Sequence, residues 1–443
     1  MSCAALVAAV VLLVPGVALA SDGGSHWEPP LWSVSSFAAL LAGIALFPLL
    51  REHWWENNKN KAVFASIVAV PVVVLVFVGH PMSLLHAGVE YVQFLSLIGA
   101  LYIVAGGIHV TGNLRATPFV NTVLLGIGYL LASLLGTTGA SMVLLYPLLR
   151  TNKERAWKAH TVVFFILAVS NAGGLMTPLG DPPLFLGFLR GVPFFWYAQN
   201  LWWAWAACGA YLLAMYFFVD SFFASKESNE AWIRDDRNEE PLGVLGGFNV
   251  LLLVGIVCAT CFAPTPIREA CYAVCALASL EYAMRNASAA KARERNVFSW
   301  GPIQEVAVLF AAIFVTMIPA LALLQTHGAS LGVEHPWQYF LATGGFSSVL
   351  DNAPTYLIFQ ELGMATVGSD HPATFAEKAP RLLAAVAVGS VFMGANTYIG
   401  NAPNFMVKAV AEKRGVHMPN FFIYALIAVA VLSPMYAILC FFL

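Results

Sequence analysis

The sequence predicts an all-α polytopic membrane protein made of two inverted-topology repeats, and three observations carry that reading. The 443 residues are 59% hydrophobic and 10% charged, with a mean hydropathy of +0.75, whereas a soluble chain carries about 25% charged residues. Apolar runs of the roughly 20 residues that a span requires recur along almost the whole length. Two of those runs are interrupted alike. One reads Ser170-Asn171-Ala172-Gly173-Gly174-Leu175-Met176-Thr177-Pro178-Leu179-Gly180-Asp181-Pro182-Pro183, and the other extends from Ser390 through Gly394-Ala395-Asn396-Thr397-Tyr398-Ile399-Gly400-Asn401-Ala402-Pro403. At an offset of 220 positions Ser170/Ser390, Gly174/Gly394, Thr177/Thr397, Gly180/Gly400, Pro183/Pro403 and Phe185/Phe405 coincide. Paired Gly/Pro-interrupted apolar segments in two halves of a chain point to a transporter's binding site.

Residues 1–20 end in Ala18-Leu19-Ala20 before a polar stretch, as a secretory signal peptide does. They lack a basic start, so an uncleaved anchor stays open. The first repeat, 31–219, is expected to hold spans near 31–50, 62–79 and 92–112, a hairpin over 120–149, a broken helix over 161–191 and a span over 201–219. The run 120–149 is too long for one span and too short for two. Its middle, Gly136-Thr137-Thr138-Gly139-Ala140-Ser141, is polar and glycine-rich, which reads as a re-entrant hairpin. Residues 220–243 are dense in charge and read as a cytoplasmic linker.

The second repeat, 244–443, runs through the same series. Spans are expected near 244–264, 270–284 and 303–325, then a hairpin over 337–362, a broken helix over 382–410 and a last span over 420–443. Its hairpin carries Ser347-Ser348-Val349-Leu350-Asp351-Asn352-Ala353-Pro354-Thr355 at the tip. About five spans, one of them broken, plus one hairpin cross the bilayer an odd number of times, so the second copy lies upside down. Irregular backbone at that depth is tolerated only where protein buries it or it lines a cavity.

Charge supplies the orientation. Arg51, Lys59, Lys61, Arg115, Arg150, Lys153, Arg155, Lys158, Lys291, Arg293, Arg295, Lys408, Lys413 and Arg414 fall at ends that one orientation places together, which the positive-inside rule makes the cytoplasmic side. The first hairpin then opens inward and the second outward. Arg190, Arg268, Lys378 and Arg381 fall outside, at segment ends where long side chains snorkel. A bacterial inner membrane is the expected address, and the lipid bilayer the expected surroundings. There is no basic stripe for nucleic acid. A zinc-protease helix and a serine nucleophile elbow are also missing, so enzyme chemistry is not expected. The seven cysteines sit mostly in apolar stretches and read as packing residues.

Asp181 is the first candidate. A carboxylate at the bilayer centre costs about 2.5–3.5 kcal/mol and needs a partner or a function. It caps the second half-helix, or holds either a proton or a cation such as Na⁺ together with carbonyls freed by the break, and the two roles are compatible. Asp351 offers a second acid, again as a cap or as a ligand. Asn401 stands at the position of Asp181 in the other break. Asn171, Thr177, Asn352, Asn396 and Thr397 supply neutral oxygens near the interruptions. Thr137, Thr138 and Ser141 do so at the first hairpin tip, and Ser347 and Ser348 at the second. His109, Glu281 and Glu305 read as solvated residues at cytoplasmic ends. Trp54, Trp55, Phe194, Phe195, Trp196, Tyr197, Trp202, Trp203 and Trp205 read as interfacial belts.

The motifs Ser170-Asn171-Ala172-Gly173-Gly174…Pro178-Leu179-Gly180-Asp181 and Ser347-Ser348-Val349-Leu350-Asp351-Asn352-Ala353-Pro354 resemble those of the ion-transporter superfamily. That group includes NhaD-type sodium/proton antiporters, arsenite permeases and citrate or dicarboxylate carriers. The nearest resemblance is to a citrate-transport branch often described as sodium:proton antiporters. It implies ion handling at Asn171, Asp181, Ser347 and Asn352, and a homodimer. NhaD-type members tend to carry acids at the first tip, where this chain has Thr137-Thr138-Gly139. Carboxylate carriers tend to show Ser-Asn-Thr at both tips, which neither tip has.

The function expected is secondary transport by alternating access: exchange of Na⁺ for H⁺ at Asp181, with Asp351 as the second acid and no cofactor beyond the transported ions. The alternative is Na⁺- or H⁺-coupled carriage of citrate or another organic anion, held by half-helix N-termini and Ser/Thr/Asn groups.

Overall fold

Proline and glycine set much of the helix punctuation. Proline opens Pro81–Ala105, Pro118–Thr151, Pro182–Leu189, Pro336–Ser347 and Pro380–Met393, where its missing N–H costs nothing. The structure is a computed structural model and describes residues 27–443; the signal-peptide reading of residues 1–20 lies outside them. Eight helices among the described residues are long and apolar enough to cross a membrane. The helix Phe248–Phe262 has 15 residues, short of the roughly 20 a span needs.

Both hairpins are present. Pro118–Thr151 reverses at Gly136, whose φ of 77° is accessible mainly to glycine. Asn121 and Asn152, at its two ends, exchange side-chain hydrogen bonds of 2.9 Å; a straight helix would hold them roughly 45 Å apart at 1.5 Å per residue. In the second hairpin, Pro336–Ser347 and Asn352–Val367 run side by side, with the Tyr339 hydroxyl 2.8 Å from Thr366 Oγ1 near the open end.

Both broken helices are present as well. Ala159–Ala168 gives way to irregular chain and resumes as Pro182–Leu189; Pro380–Met393 breaks and resumes as Ala402–Lys413. The first break is buried almost throughout, as is most of the second. Six of the basic residues that charge alone assigns to one side gather: Arg150, Lys153, Lys158, Lys291, Arg295 and Arg414 surround a single crevice.

Several expectations need correction. The span expected over 92–112 ends at Ala105, and His109–Asn113 forms a strand antiparallel to Glu240–Leu245. His109 is not solvated: it is 3% exposed, with Nδ1 2.7 Å from Asn296 Oδ1. Burial lowers its pKa below the usual imidazole range, the Asn296 hydrogen bond opposes this, and nearby Arg150, Arg295 and Arg414 push it lower still. The charged stretch after Ala224 contains the helix Asn229–Arg237 and that second strand. Trp55, Trp196 and Tyr197 are core residues, not belt residues; the Tyr197 hydroxyl lies 2.9 Å from that of Tyr356. Arg190 does not snorkel freely, because it pairs with Glu90 at 3.0 Å.

Candidate functional site

The two breaks and the two hairpin tips meet at Asp181. Its carboxylate is 1% exposed and accepts three hydrogen bonds: from Thr137 Oγ1 at 2.9 Å, Asn352 Nδ2 at 2.5 Å and Asn401 Nδ2 at 3.1 Å. Thr137 comes from the first tip, Asn352 from the second and Asn401 from the second break. The carboxylate makes no side-chain cap on its own helix. It forms no ion pair among the described residues, so neutral donors alone hold a buried charge. Such a charge is costly unless paired and fully hydrogen-bonded.

Asparagine suits this position because its amide both donates and accepts. Asn352 and Asn401 donate to the carboxylate here; turned over, each would offer a carbonyl oxygen. Asn352 Oδ1 is already buried without a hydrogen-bond partner among the described residues. A buried acceptor left unmade costs about 1–3 kcal/mol. A carboxylate beside an unsatisfied amide oxygen is the donor set that a hard cation takes.

The surrounding polar groups hold the interruptions in place. Asn401 Nδ2 also reaches Asn171 Oδ1 and the Ser170 carbonyl, both at 3.2 Å. Asn171 donates to Asn404 Oδ1 at 2.7 Å, and Asn404 donates to the carbonyls of Gly394 and Thr397 at 2.9 Å. Ser141 lies 3.0 Å from Ser170. Thr177 donates to the Ser133 carbonyl, and Thr397 to the Ser348 carbonyl at 2.5 Å. Ser347 donates to the Ser390 carbonyl at 2.6 Å, and Asn396 to Ser348 Oγ at 2.9 Å. Thr177, Asn396, Thr397, Ser347 and Ser348 thus pin breaks to hairpins and do not touch Asp181. Asp351 caps the helix Asn352–Val367, accepting from Ala353 N at 3.0 Å, and shares a cavity with the site.

That cavity, of about 440 Å³, falls in the 300–1,000 Å³ range of small-ligand sites. Thr137, Thr138, Asp351, Asn401, Glu56, Lys61 and Glu305 are among its lining residues. Lys61 and Glu305 form a 2.6 Å ion pair, and the lysine lies 5.7 Å from the Trp55 ring centre. Sequence reading missed Lys61, Ser133 and Asn404 as site components and read Glu305 as a solvated residue at a cytoplasmic end, where its side chain is 40% exposed. Lys61 and Glu305 are 244 positions apart, so nothing local joins them. Asn404 follows the Gly400-Asn401 signal closely enough to have been included.

Glycine makes the convergence possible. A Cβ on Gly180 would collide with the Gly174 carbonyl oxygen, and one on Gly400 would sit 2.6 Å from both the Gly394 and Ser347 carbonyl oxygens. Gly180→Ala is therefore expected to destabilise the purified protein by about 1–3 kcal/mol, the usual overpacking cost, seen as a lower unfolding midpoint in detergent. An unchanged midpoint would contradict this account of the break.

Residues 26–443 match a family described as "Putative citrate transport". No curated protein matches the chain. With its apolar helices, buried interruptions and cavity, the chain is a multi-pass membrane protein of the secondary-transporter class, and it belongs to this citrate-transport family.

Proposed function

We propose that the protein is a cation-coupled secondary carrier of citrate or a related small carboxylate anion, with Asp181 as the coupling carboxylate. The observation that carries this reading is a buried acid held only by invertible amides and a hydroxyl, next to a cavity with a lysine in its wall. Na⁺ or H⁺ at Asp181 would neutralise it, and the amide oxygens of Asn352 and Asn401 would turn toward the ion. The anion would occupy the cavity, drawn by the N-terminal ends of the resumed half-helices and by Lys61 once it leaves its ion pair with Glu305. The family match supports an anion as cargo.

The two halves, 31–219 and 244–443, act in this reading as inverted repeats joined by 220–243. Three paired features support it. Thr177 and Thr397 each bond a backbone carbonyl of a hairpin, at Ser133 and at Ser348. Gly174/Gly180 and Gly394/Gly400 each close their own break. Asp181 and Asn401, equivalent at the 220-residue offset, touch one another, as equivalent positions do beside a two-fold axis. Alternating access would follow from rocking one copy against the other.

Uptake of labelled citrate into proteoliposomes under an inward Na⁺ or H⁺ gradient tests the proposal. No uptake above protein-free liposomes, together with Na⁺-dependent dissipation of ΔpH in everted vesicles, would favour Na⁺/H⁺ exchange. That second reading rests on Asp181 having no cationic partner among the described residues. If Lys61 draws the anion, Lys61→Gln raises the KM for citrate about tenfold or more, the cost of one charge-assisted hydrogen bond of 1.5–3 kcal/mol. An unchanged KM removes Lys61 from the site.

A further inference from the structure

A second crevice, of about 680 Å³, opens on the face that the charge rule makes cytoplasmic. Arg150, Lys153 and Lys158 enter it from the base of the first hairpin, Lys291 and Arg295 from the helix Ala287–Arg295, and Arg414 from the end of the second broken helix. Glu240 and Glu294 are the acids in its lining, against six cations. Among the described residues none of the six has a carboxylate within the 4.0 Å of an ion pair. Arg150 donates to the Gly112 carbonyl at 2.9 Å, Lys158 to the Lys153 carbonyl at 3.0 Å, and Arg414 lies 5.1 Å from the Tyr146 ring centre. The side chains of Lys291 and Arg295 hold no hydrogen bond among the described residues.

Three distant stretches of chain therefore bring like charges together without neutralising them, a field that concentrates anions. At the rim, Val297 adopts φ 50°, a left-handed conformation that is a rarity for a β-branched residue. Backbone strain of this kind collects at ligand clamps.

We propose that this crevice binds a phosphate-bearing anion of at least two negative charges. The chemistry fits either an acidic lipid headgroup at the membrane face or a free polyphosphate, since Arg and Lys clusters hold both. The site is separate from the cavity beside Asp181, with which it shares no lining residue.

The test is thermal unfolding of the full-length protein in detergent with pyrophosphate, with short-chain phosphatidic acid, and with short-chain phosphatidylcholine as the neutral control. The expected result is a rise of about 3 °C at a hundredfold excess over Kd with at least one of the two anions. K291Q/R295Q should lose most of that rise, because neither side chain makes a hydrogen bond or ion pair among the described residues. A response to phosphatidic acid alone assigns the site to a lipid headgroup, and a response to pyrophosphate assigns it to a soluble polyanion. No rise with either anion, or an equal rise in K291Q/R295Q, overturns the proposal.

Discussion

Asp181→Asn is expected to reduce gradient-driven uptake by roughly 100-fold or more while the protein still folds. Losing one partner of a buried charge interaction costs about 3–5 kcal/mol, and the interaction lost here would be that between the carboxylate and its coupling cation. The amide keeps the shape of the side chain and still accepts from Thr137 and one asparagine. The folded state therefore loses little, and the size-exclusion profile should match that of the parent. Cation-gradient uptake in proteoliposomes measures the effect. Near-parental uptake driven by the same gradient would move the coupling site elsewhere in the chain.

Arg155→Gln should produce the largest loss of stability. Arg155 and Asp220 are both almost wholly buried and pair at 2.6 Å. Asp220 also meets His160 Nε2 at 2.7 Å and Asn121 Nδ2 at 3.0 Å. Glu227 lies 3.8 Å from the Arg155 guanidinium and accepts from Ala156 N and Trp157 N at 3.0 and 2.9 Å. This cluster ties the base of the first hairpin to the helix Trp196–Ala224. Without the arginine a buried carboxylate keeps only neutral donors and a histidine, at a cost of about 3–5 kcal/mol. The unfolding midpoint in detergent should fall by several degrees, and Arg155→Lys should recover part of it. Equal midpoints for parent and Arg155→Gln would show that the pair contributes nothing net.

The hairpins and breaks were legible in the sequence because lipid is a severe filter. Glycine, proline and runs of Ser, Thr and Asn inside an apolar stretch leave backbone groups that hydrocarbon cannot satisfy. Their clusters at 136–141, 170–183, 347–355 and 394–404 therefore mark where the chain turns or unwinds. Asp181 stood out for the same reason. What lay beyond the sequence was long-range pairing. Asn352 meets Asp181 across 171 residues, and Lys61 meets Glu305 across more. Each looks local until the fold joins them. Lys61 and Glu305 read as end-of-helix charges because position along a helix does not reveal which face borders a cavity. His109 and the strand after it were hidden in an apolar run whose pairing partner is the polar stretch near Glu240. Asp351 carried two compatible readings, and its geometry combines a helix cap with a place in the cavity wall.

Coupled binding of a cation at Asp181 and an anion in the adjoining cavity requires each to change the other's affinity by the same factor. Calorimetric titration of the purified protein with citrate, in Na⁺ and in choline, at acid and at alkaline pH, measures that linkage directly. The account predicts tighter citrate binding with Na⁺ or with protons, and loss of this dependence in Asp181→Asn. Citrate affinity that is equal in Na⁺ and choline and constant across pH would contradict it.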